Sequence, residues 1–118
     1  MIRHFALAFT LGVATVSTGF AADPATGDAI RAAVSGNTVQ GAMADSGAYT
    51  EFYAADGTIK GKDYQGTWSI KDDTKCFAYG ADPAVCWNAR IDGDHVVWVQ
   101  DGTDKGDGTI LPGNPNNF

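Results

Sequence analysis

CWNARIDGDHVVWVQDGTDKGDGTI, residues 86–110, consists of β-prone runs separated by Asp-Gly pairs. Asp and Gly tolerate the positive φ of tight hairpin turns, whose twist matches that of the flanking strands. Asp92-Gly93-Asp94 is therefore predicted to join a strand over residues 86–91 to a strand over residues 95–100. The pattern indicates an antiparallel meander in this part of the chain.

The same rhythm of short β-prone runs and Gly- or Asp-rich turns extends from Gly36 to the last residues. It predicts eight strands, over residues 37–41, 48–54, 58–62, 66–71, 75–79, 86–91, 95–100 and 108–112. A meander of hairpins has two unpaired edges, and closing the sheet on itself removes both. The predicted fold class is mainly all-β, a small antiparallel β-meander or barrel of about eight short strands, with a two-sheet sandwich as the alternative.

One short N-terminal helix is predicted over residues 25–35, because Ile30 and Val34 share a helical face and Gly36 provides a stop. Alternation within two of the strands predicts buried faces that hold Trp68 with Ile70, and Trp87 with Ala89 and Ile91. The strand over residues 95–100 is apolar on both faces, and the helix is a candidate cover for one of them.

The first residues have the order of parts found in a secretory signal peptide. A basic start over residues 1–4 precedes an apolar run over residues 5–16, which is too short to span a bilayer as a helix. Small residues follow, and we predict cleavage after Ala21. Residues 1–21 are then a signal peptide, residues 22–118 form one small domain, and the mature protein is periplasmic or secreted.

The net charge of the chain is −6, and it becomes −7 when Arg3 leaves with the signal peptide. An acidic surface argues against nucleic acid and anionic membranes as partners, because both require basic patches. A cationic protein partner remains compatible with this charge. The predicted strands are shorter than the 9–11 residues or so that a membrane-spanning strand needs, so no membrane insertion is expected, and we expect a monomer.

Cys76 and Cys86 are the two cysteines of the chain, and export would place them in an oxidising compartment. No neighbouring histidine completes a zinc site, and the spacing is not that of a redox CxxC motif. The sequence therefore predicts a Cys76–Cys86 disulfide. The pair would join neighbouring strands either across a long loop through residues 80–83 or in a staggered arrangement.

Residues 101–110, DGTDKGDGTI, have the Asp and Gly content of a calcium-binding loop. An EF-hand loop that began at Asp101 would place Lys105 at its fifth position and Pro112 at its twelfth, where oxygen ligands are required. We therefore interpret the stretch as a hairpin loop, and neither a metal nor a cofactor is predicted. The alternative is an adventitious calcium site formed by Asp101, Asp104 and Asp107.

Catalytic residues are not recognisable in the sequence. His95 is the one histidine downstream of the predicted cleavage site, and no Gly-x-Ser-x-Gly elbow supplies a nucleophile for it. Paired carboxylates for glycoside hydrolysis would need a cleft, whereas a small barrel fills its interior with side chains. The protein is therefore predicted not to be an enzyme.

Two resemblances to known families follow from short motifs. Ser46-Gly47-Ala48-Tyr49 and Thr58-Ile59-Lys60-Gly61 loosely resemble the Ser-Gly-x-x-Tyr and Thr-Lys-Gly elements of small periplasmic lysozyme inhibitors. That resemblance implies a disulfide-linked barrel that inhibits a secreted hydrolase, with Tyr49 and Lys60 near the contact. An acidic inhibitor would suit a basic enzyme.

A second resemblance covers most of the chain after residue 35. It is carried by Gly36-Asn37-Thr38-Val39, residues 52–58, Gly66-Thr67-Trp68, Cys76, Cys86-Trp87, Asp92-Gly93-Asp94 and Pro112-Gly113-Asn114-Pro115. This order is similar to that of a family of small exported proteins of Gram-negative bacteria whose function is not known. The resemblance implies export, a disulfide and a β fold, and it implies no site residues.

The function predicted from these observations is that of a non-enzymatic binding or stabilising module for a small ligand or a protein. Exposed aromatic side chains that could stack on sugars or apolar groups are the candidate contacts. The candidates are Tyr49, Tyr53, Tyr64, Tyr79 and Trp98, together with Lys60. Inhibition of a secreted hydrolase is the alternative function.

Overall fold

Residues 23–118 are described by the computed structural model, and they form one helix followed by eight antiparallel strands that close into a barrel. The elements are α1 (Gly27–Val34), β1 (Asn37–Met43), β2 (Gly47–Tyr53), β3 (Thr58–Gly61), β4 (Tyr64–Lys71), β5 (Thr74–Ala78), β6 (Val85–Asp92), β7 (His95–Gln100) and β8 (Thr103–Pro112). The predicted fold class is confirmed, and it is the barrel rather than the sandwich. The predicted signal peptide lies outside the described residues.

Each strand pairs with its neighbours in the chain, and pairing of β1 with β8 closes the barrel. Strands β1, β3, β5 and β7 begin at one end, which we call the closed end, and finish at the other, the open end. The Asp-Gly corner at Asp101 and Gly102 has φ values of 50° and 77°, the left-handed conformation that tight hairpin turns require.

The predicted hairpin loop over residues 101–110 is wrong in its extent. Only Asp101 and Gly102 form the turn, and β8 begins at Thr103 rather than at the predicted Gly108. Gly and Asp have low β propensity, but here the backbone pairs with β7 on one side and with β1 on the other. Pairing on both sides outweighs the propensity of single residues. A register shift between Trp98 and Val99 accommodates the extra residue of β8.

The helix α1 covers the closed end, where it packs against β1, β4 and β5. Thr26 caps the helix, because its Oγ1 accepts a hydrogen bond of 3.2 Å from the backbone N–H of Ala29. Ile30 and Val34 are fully buried, as the sequence predicts, and Gly36 turns the chain into β1 with a φ of 74°. The cover of β7 by α1 stays a prediction, and Ile30 and Val34 of α1 belong to the same buried core as Val96 of β7.

The core occupies the half of the barrel near α1. Trp68 and Ala89 are buried on the faces predicted for them, while Ile70, Trp87 and Ile91 are half-buried and pack against the same core. On β7, Val96 and Trp98 are buried, and Val99, which follows the register shift, is buried as well. The apolar strand faces therefore meet inside the barrel, as alternation predicts.

The disulfide between Cys76 and Cys86 is formed, which confirms the prediction. The two residues lie directly opposite each other on β5 and β6, with their Cα atoms 3.9 Å apart. The connection through residues 79–84 is the long loop of the two arrangements considered. Lys75 and Phe77 face the barrel interior, so the disulfide lies on the outer wall.

Removing the disulfide in a Cys76→Ala/Cys86→Ala variant is expected to lower the free energy of unfolding by about 2–3 kcal/mol, because the cross-link restricts the unfolded chain. Urea denaturation followed by tryptophan fluorescence measures the difference. The wild-type protein in excess reductant should lose the same amount. An unchanged urea midpoint in both samples would show that the cross-link does not stabilise this barrel.

Candidate functional site

A cavity of about 520 Å³ lies at the open end of the barrel. Its walls come mainly from β2, β4, β5, β6 and β7, and all four tyrosines and two of the three tryptophans of the chain line it. The lining residues are Met43, Ser46, Ala48, Tyr49, Glu51, Tyr53, Tyr64, Lys75, Phe77, Tyr79, Trp87 and Trp98. An apolar cavity of this size with a few polar groups is typical of a small-molecule site.

Strand β2 contributes three inward side chains, because Tyr49, Glu51 and Tyr53 alternate on one face. The Tyr49 hydroxyl donates a hydrogen bond of 3.0 Å to the backbone oxygen of Asp107 and accepts one of 2.9 Å from Trp98 Nε1. Burial raises the pKa of Tyr49 to about 12, and the hydrogen bond from Trp98 only partly offsets that effect. Tyr49 is therefore held in place as a neutral hydroxyl.

Strand β5 brings a lysine into this aromatic environment. The Lys75 side chain is only 3% exposed, and its Nζ lies 3.6 Å from the ring centroid of Tyr53 and 4.5 Å from that of Trp98. No ion pair joins Lys75 to a carboxylate within residues 23–118. Burial lowers the pKa of Lys75 to about 7, although the charge of Glu51 acts in the opposite direction.

Glu51 is the acidic side chain of the cavity wall, and it is 7% exposed. The Tyr79 hydroxyl lies 2.6 Å from one of its carboxylate oxygens and 3.0 Å from the other, and it donates to this pair. Burial and the Glu51 charge raise the pKa of Tyr79 well above its ordinary value, and the same two causes raise that of Tyr64 to about 12. Tyr79 thus donates a hydrogen bond to a carboxylate that forms no ion pair among the described residues.

Glycines on the inner wall make room for the aromatic rings. A Cβ atom at Gly66 would lie 2.7 Å from the ring of Tyr79, and one at Gly108 would lie 2.6 Å from the hydroxyl of Tyr49. Both distances are shorter than side chains tolerate, so these strand positions require glycine. Glycine inside a strand marks the close approach of another group, and here that group belongs to the cavity wall.

Trp87 on β6 lies beside Lys75 in the cavity wall, because the two residues pair in register on adjacent strands. Its ring meets that of Phe77 edge to face at a centroid distance of 4.8 Å. Its Nε1 is buried and has no hydrogen-bond acceptor among the described residues. Buried N–H groups in folded proteins nearly always have an acceptor, so this donor is an unusual feature of the wall.

The structure brings together five of the six residues that the sequence singled out for ligand contact. Tyr49, Tyr53, Tyr64, Tyr79 and Trp98 all line the cavity, whereas Lys60 lies in a shallow outer groove with Asp63 and Phe118. Only Tyr64 is as exposed as expected, with an exposed fraction of 42%, and Tyr53 and Trp98 are buried. Their contact with a ligand stays a prediction.

Seven of the twelve lining residues were not singled out in the sequence, and the four with large or charged side chains are Glu51, Lys75, Phe77 and Trp87. A usable signal existed for three of them. Glu51 alternates with Tyr49 and Tyr53, while Lys75 and Phe77 alternate with Tyr79, so period-2 spacing places each set on one strand face. Trp87 was assigned to the core, and it forms the boundary between core and cavity.

The aspartates of residues 101–110 do not converge. Asp104 forms an ion pair with Arg90, with an Nη2–Oδ1 distance of 2.8 Å, and Asp107 Oδ2 lies 3.7 Å from His95 Nε2 on the outer wall. Within residues 23–118, no group of three or more His, Cys, Asp or Glu side chains is arranged to hold a metal ion. His95 begins β7 at the closed end, and its exposed side chain is not among the residues that line the cavity.

Two further observations bear on the class of protein. In the part of the chain that the structure describes, no helix has the length and apolar character needed to cross a membrane. Comparisons with protein-family models, with characterised proteins and with solved structures found no match to this chain.

Proposed function

We propose that this protein is an exported, non-enzymatic binding module that holds one small, largely apolar molecule in the cavity at the open end of its barrel. The observation that carries the proposal is the convergence of all four tyrosines with Phe77, Trp87 and Trp98 on one cavity of about 520 Å³. Eight-stranded barrels are just wide enough to hold one small ligand in this way.

The distribution of buried residues supports a binding cavity rather than a filled core. The tightly packed residues lie toward α1, with Ile30, Val34 and Ile59 fully buried. The open end carries larger, partly exposed aromatic side chains, which offer apolar area at a low cost in conformational entropy. Hydrogen bonds hold the hydroxyls of Tyr49 and Tyr79, so the walls are arranged before a ligand arrives.

The uncharged fluorophore N-phenyl-1-naphthylamine tests the proposal, because its emission increases in an apolar environment. We expect saturable binding of one molecule per chain, with a micromolar dissociation constant or tighter, and quenching of the tryptophan emission from Trp87 and Trp98. Absence of saturable binding at millimolar protein would contradict the proposed function.

Two variants on neighbouring residues of β1 locate the binding event. Met43 lines the cavity, whereas Ala42 is exposed on the outer wall. Met43→Trp is expected to weaken fluorophore binding at least tenfold by filling the opening, and Ala42→Trp is expected to leave it unchanged. Equal effects of the two substitutions would place the fluorophore outside the barrel.

Inhibition of a secreted hydrolase stays a prediction. It was based on Tyr49 and Lys60, and no described contact brings these two side chains together: Tyr49 is engaged by Trp98 and Asp107 in the cavity wall, while Lys60 lies in the outer groove.

A further inference from the structure

We infer that the ligand is an apolar molecule with one terminal carboxylate, whose oxygens pair with the Lys75 amine at the inner end of the cavity. The inference rests on the proposed function and names the chemical class of its ligand. It is carried by a buried lysine that lines the cavity and pairs with no carboxylate among residues 23–118.

An amine buried without an anionic partner is destabilising, because the charged form loses its hydration. The aromatic faces of Tyr53, Trp98 and Phe77 surround Lys75 Nζ at 3.6, 4.5 and 5.5 Å. Such faces attract a cation, but they offer little to the remaining N–H bonds. A ligand carboxylate would supply the acceptors that the described residues do not.

The aromatic wall alone would also suit a cationic ligand. The charge of Lys75 favours an anionic ligand over a cationic one. Its amine already occupies the faces of three rings, and a second cation beside it would be repelled. A carboxylate beside the amine would instead be attracted by it, so the charge of Lys75 favours an oxygen-bearing anion.

Glu51 leaves the Lys75 amine free for a ligand, although its charge acts against a second carboxylate nearby. No ion pair forms between the two side chains, and the Tyr79 hydroxyl donates to the Glu51 carboxylate at 2.6 Å. The Glu51 charge favours the protonated form of Lys75, and a protonated amine is the form that a carboxylate ligand needs. The two charged residues therefore have separate partners when the ligand is bound.

The position of Lys75 along β5 gives the orientation of the ligand. It is the second residue of a strand that begins at the closed end, and its amine lies over Tyr53, the last residue of β2 at that same end. Tyr64 and Tyr79 lie toward the opening. The carboxylate therefore points inward, and the apolar body of the ligand lies between the aromatic side chains toward the opening.

Displacement of N-phenyl-1-naphthylamine by a matched pair of competitors tests the inference. 2-Naphthoate carries the carboxylate, and 2-naphthamide has the same shape without the charge. At a pH of about 6.5 we expect 2-naphthoate to compete roughly tenfold or more better, since hydrogen bonds between charged groups are stronger than neutral ones. Lys75→Met should abolish this preference, and Lys75→Arg should retain most of it.

The preference for 2-naphthoate over 2-naphthamide should also depend on pH. A lysine with a purely structural role would not produce this dependence. In the free protein the pKa of Lys75 is about 7, so above that pH the amine must take up a proton to pair with the ligand. The affinity for 2-naphthoate should then fall by up to about tenfold per pH unit between pH 7 and 9, while that for 2-naphthamide stays constant. The other titratable groups that line the cavity are Glu51 and the four tyrosines. The pKa values of the four tyrosines are all raised, so they stay neutral over this pH range.

The outcomes separate the inference from the proposed function. If the fluorophore does not bind, the proposed function itself is wrong. If it binds, and the two competitors displace it equally in the wild type or the preference survives in Lys75→Met, the cavity is a binding site but the carboxylate inference is wrong. Stronger competition by 2-naphthylmethylamine than by 2-naphthoate would also overturn it and would indicate a cationic ligand.

Discussion

Replacing Trp68 with alanine is expected to lower the free energy of unfolding by about 3–5 kcal/mol, as truncation of a large buried aromatic residue generally does. The side chain is 5% exposed and meets the ring of Tyr53 edge to face at 6.1 Å. Its Nε1 donates a 2.9 Å hydrogen bond to the backbone oxygen of Ala54, and the Arg31 guanidinium of α1 lies 5.6 Å from the ring. The free energy of unfolding of a small domain is about 5–15 kcal/mol in total, so the variant should be close to unfolded at 37 °C.

Two further variants separate the contributions in a urea denaturation series. Trp68→Phe keeps most of the apolar contact but loses the hydrogen bond to Ala54, and it should cost only about 1–2 kcal/mol. Val85→Ala, at an exposed position on β6, should stay within about 0.5 kcal/mol of the wild type. A Trp68→Ala variant as stable as Val85→Ala would mean that this residue does not join α1 to the barrel core.

Much of the fold was predictable from local signals, because several hairpins are specified by their own turn residues. The Asp-Gly corners at positions 56–57, 92–93 and 101–102 all fall between paired strands, and alternation around Trp68 and Ala89 correctly gave the inward faces. The start of β8 was predicted too late, because partners on both sides set the length of a strand in a closed barrel. Propensity within a single strand does not contain that information.

The candidate site was predictable only in part, because it depends on which strands face each other. The aromatic residues Tyr49 on β2, Tyr79 just after β5 and Trp98 on β7 are far apart in the sequence, and barrel closure brings them to one cavity. Glu51 and Lys75 were passed over because charged side chains are rarely buried. The sequence shows that Glu51 and Lys75 alternate with tyrosines. It does not show that the barrel encloses a cavity at these positions.

The stability of the free protein is expected to rise by about 2 kcal/mol between pH 7 and pH 9 because of Lys75. Burial lowers its pKa to about 7 in the folded protein, from 10.5 in the unfolded chain. Between these values the unfolded chain binds more protons than the folded protein, so raising the pH favours folding. Below pH 7 Lys75 is protonated in both the folded protein and the unfolded chain, so the folded protein bears the full energetic cost of burying the charge. Urea denaturation at several pH values measures the slope.

Lys75→Met is the matched variant, because it keeps an unbranched chain among Tyr53, Trp98 and Phe77 without the charge. It should be more stable than the wild type by on the order of 4 kcal/mol at pH 7, and the difference should shrink as the pH rises toward 9. Every other titrating group is common to both proteins, so the difference between their slopes isolates Lys75. The ring faces of Tyr53 and Trp98 favour the charged amine. The rise in stability with pH therefore begins at a higher pH, but it still occurs. A wild type that is as stable as Lys75→Met at every pH would show that the aromatic faces fully compensate burial, and the amine would then have no energetic need for a ligand carboxylate.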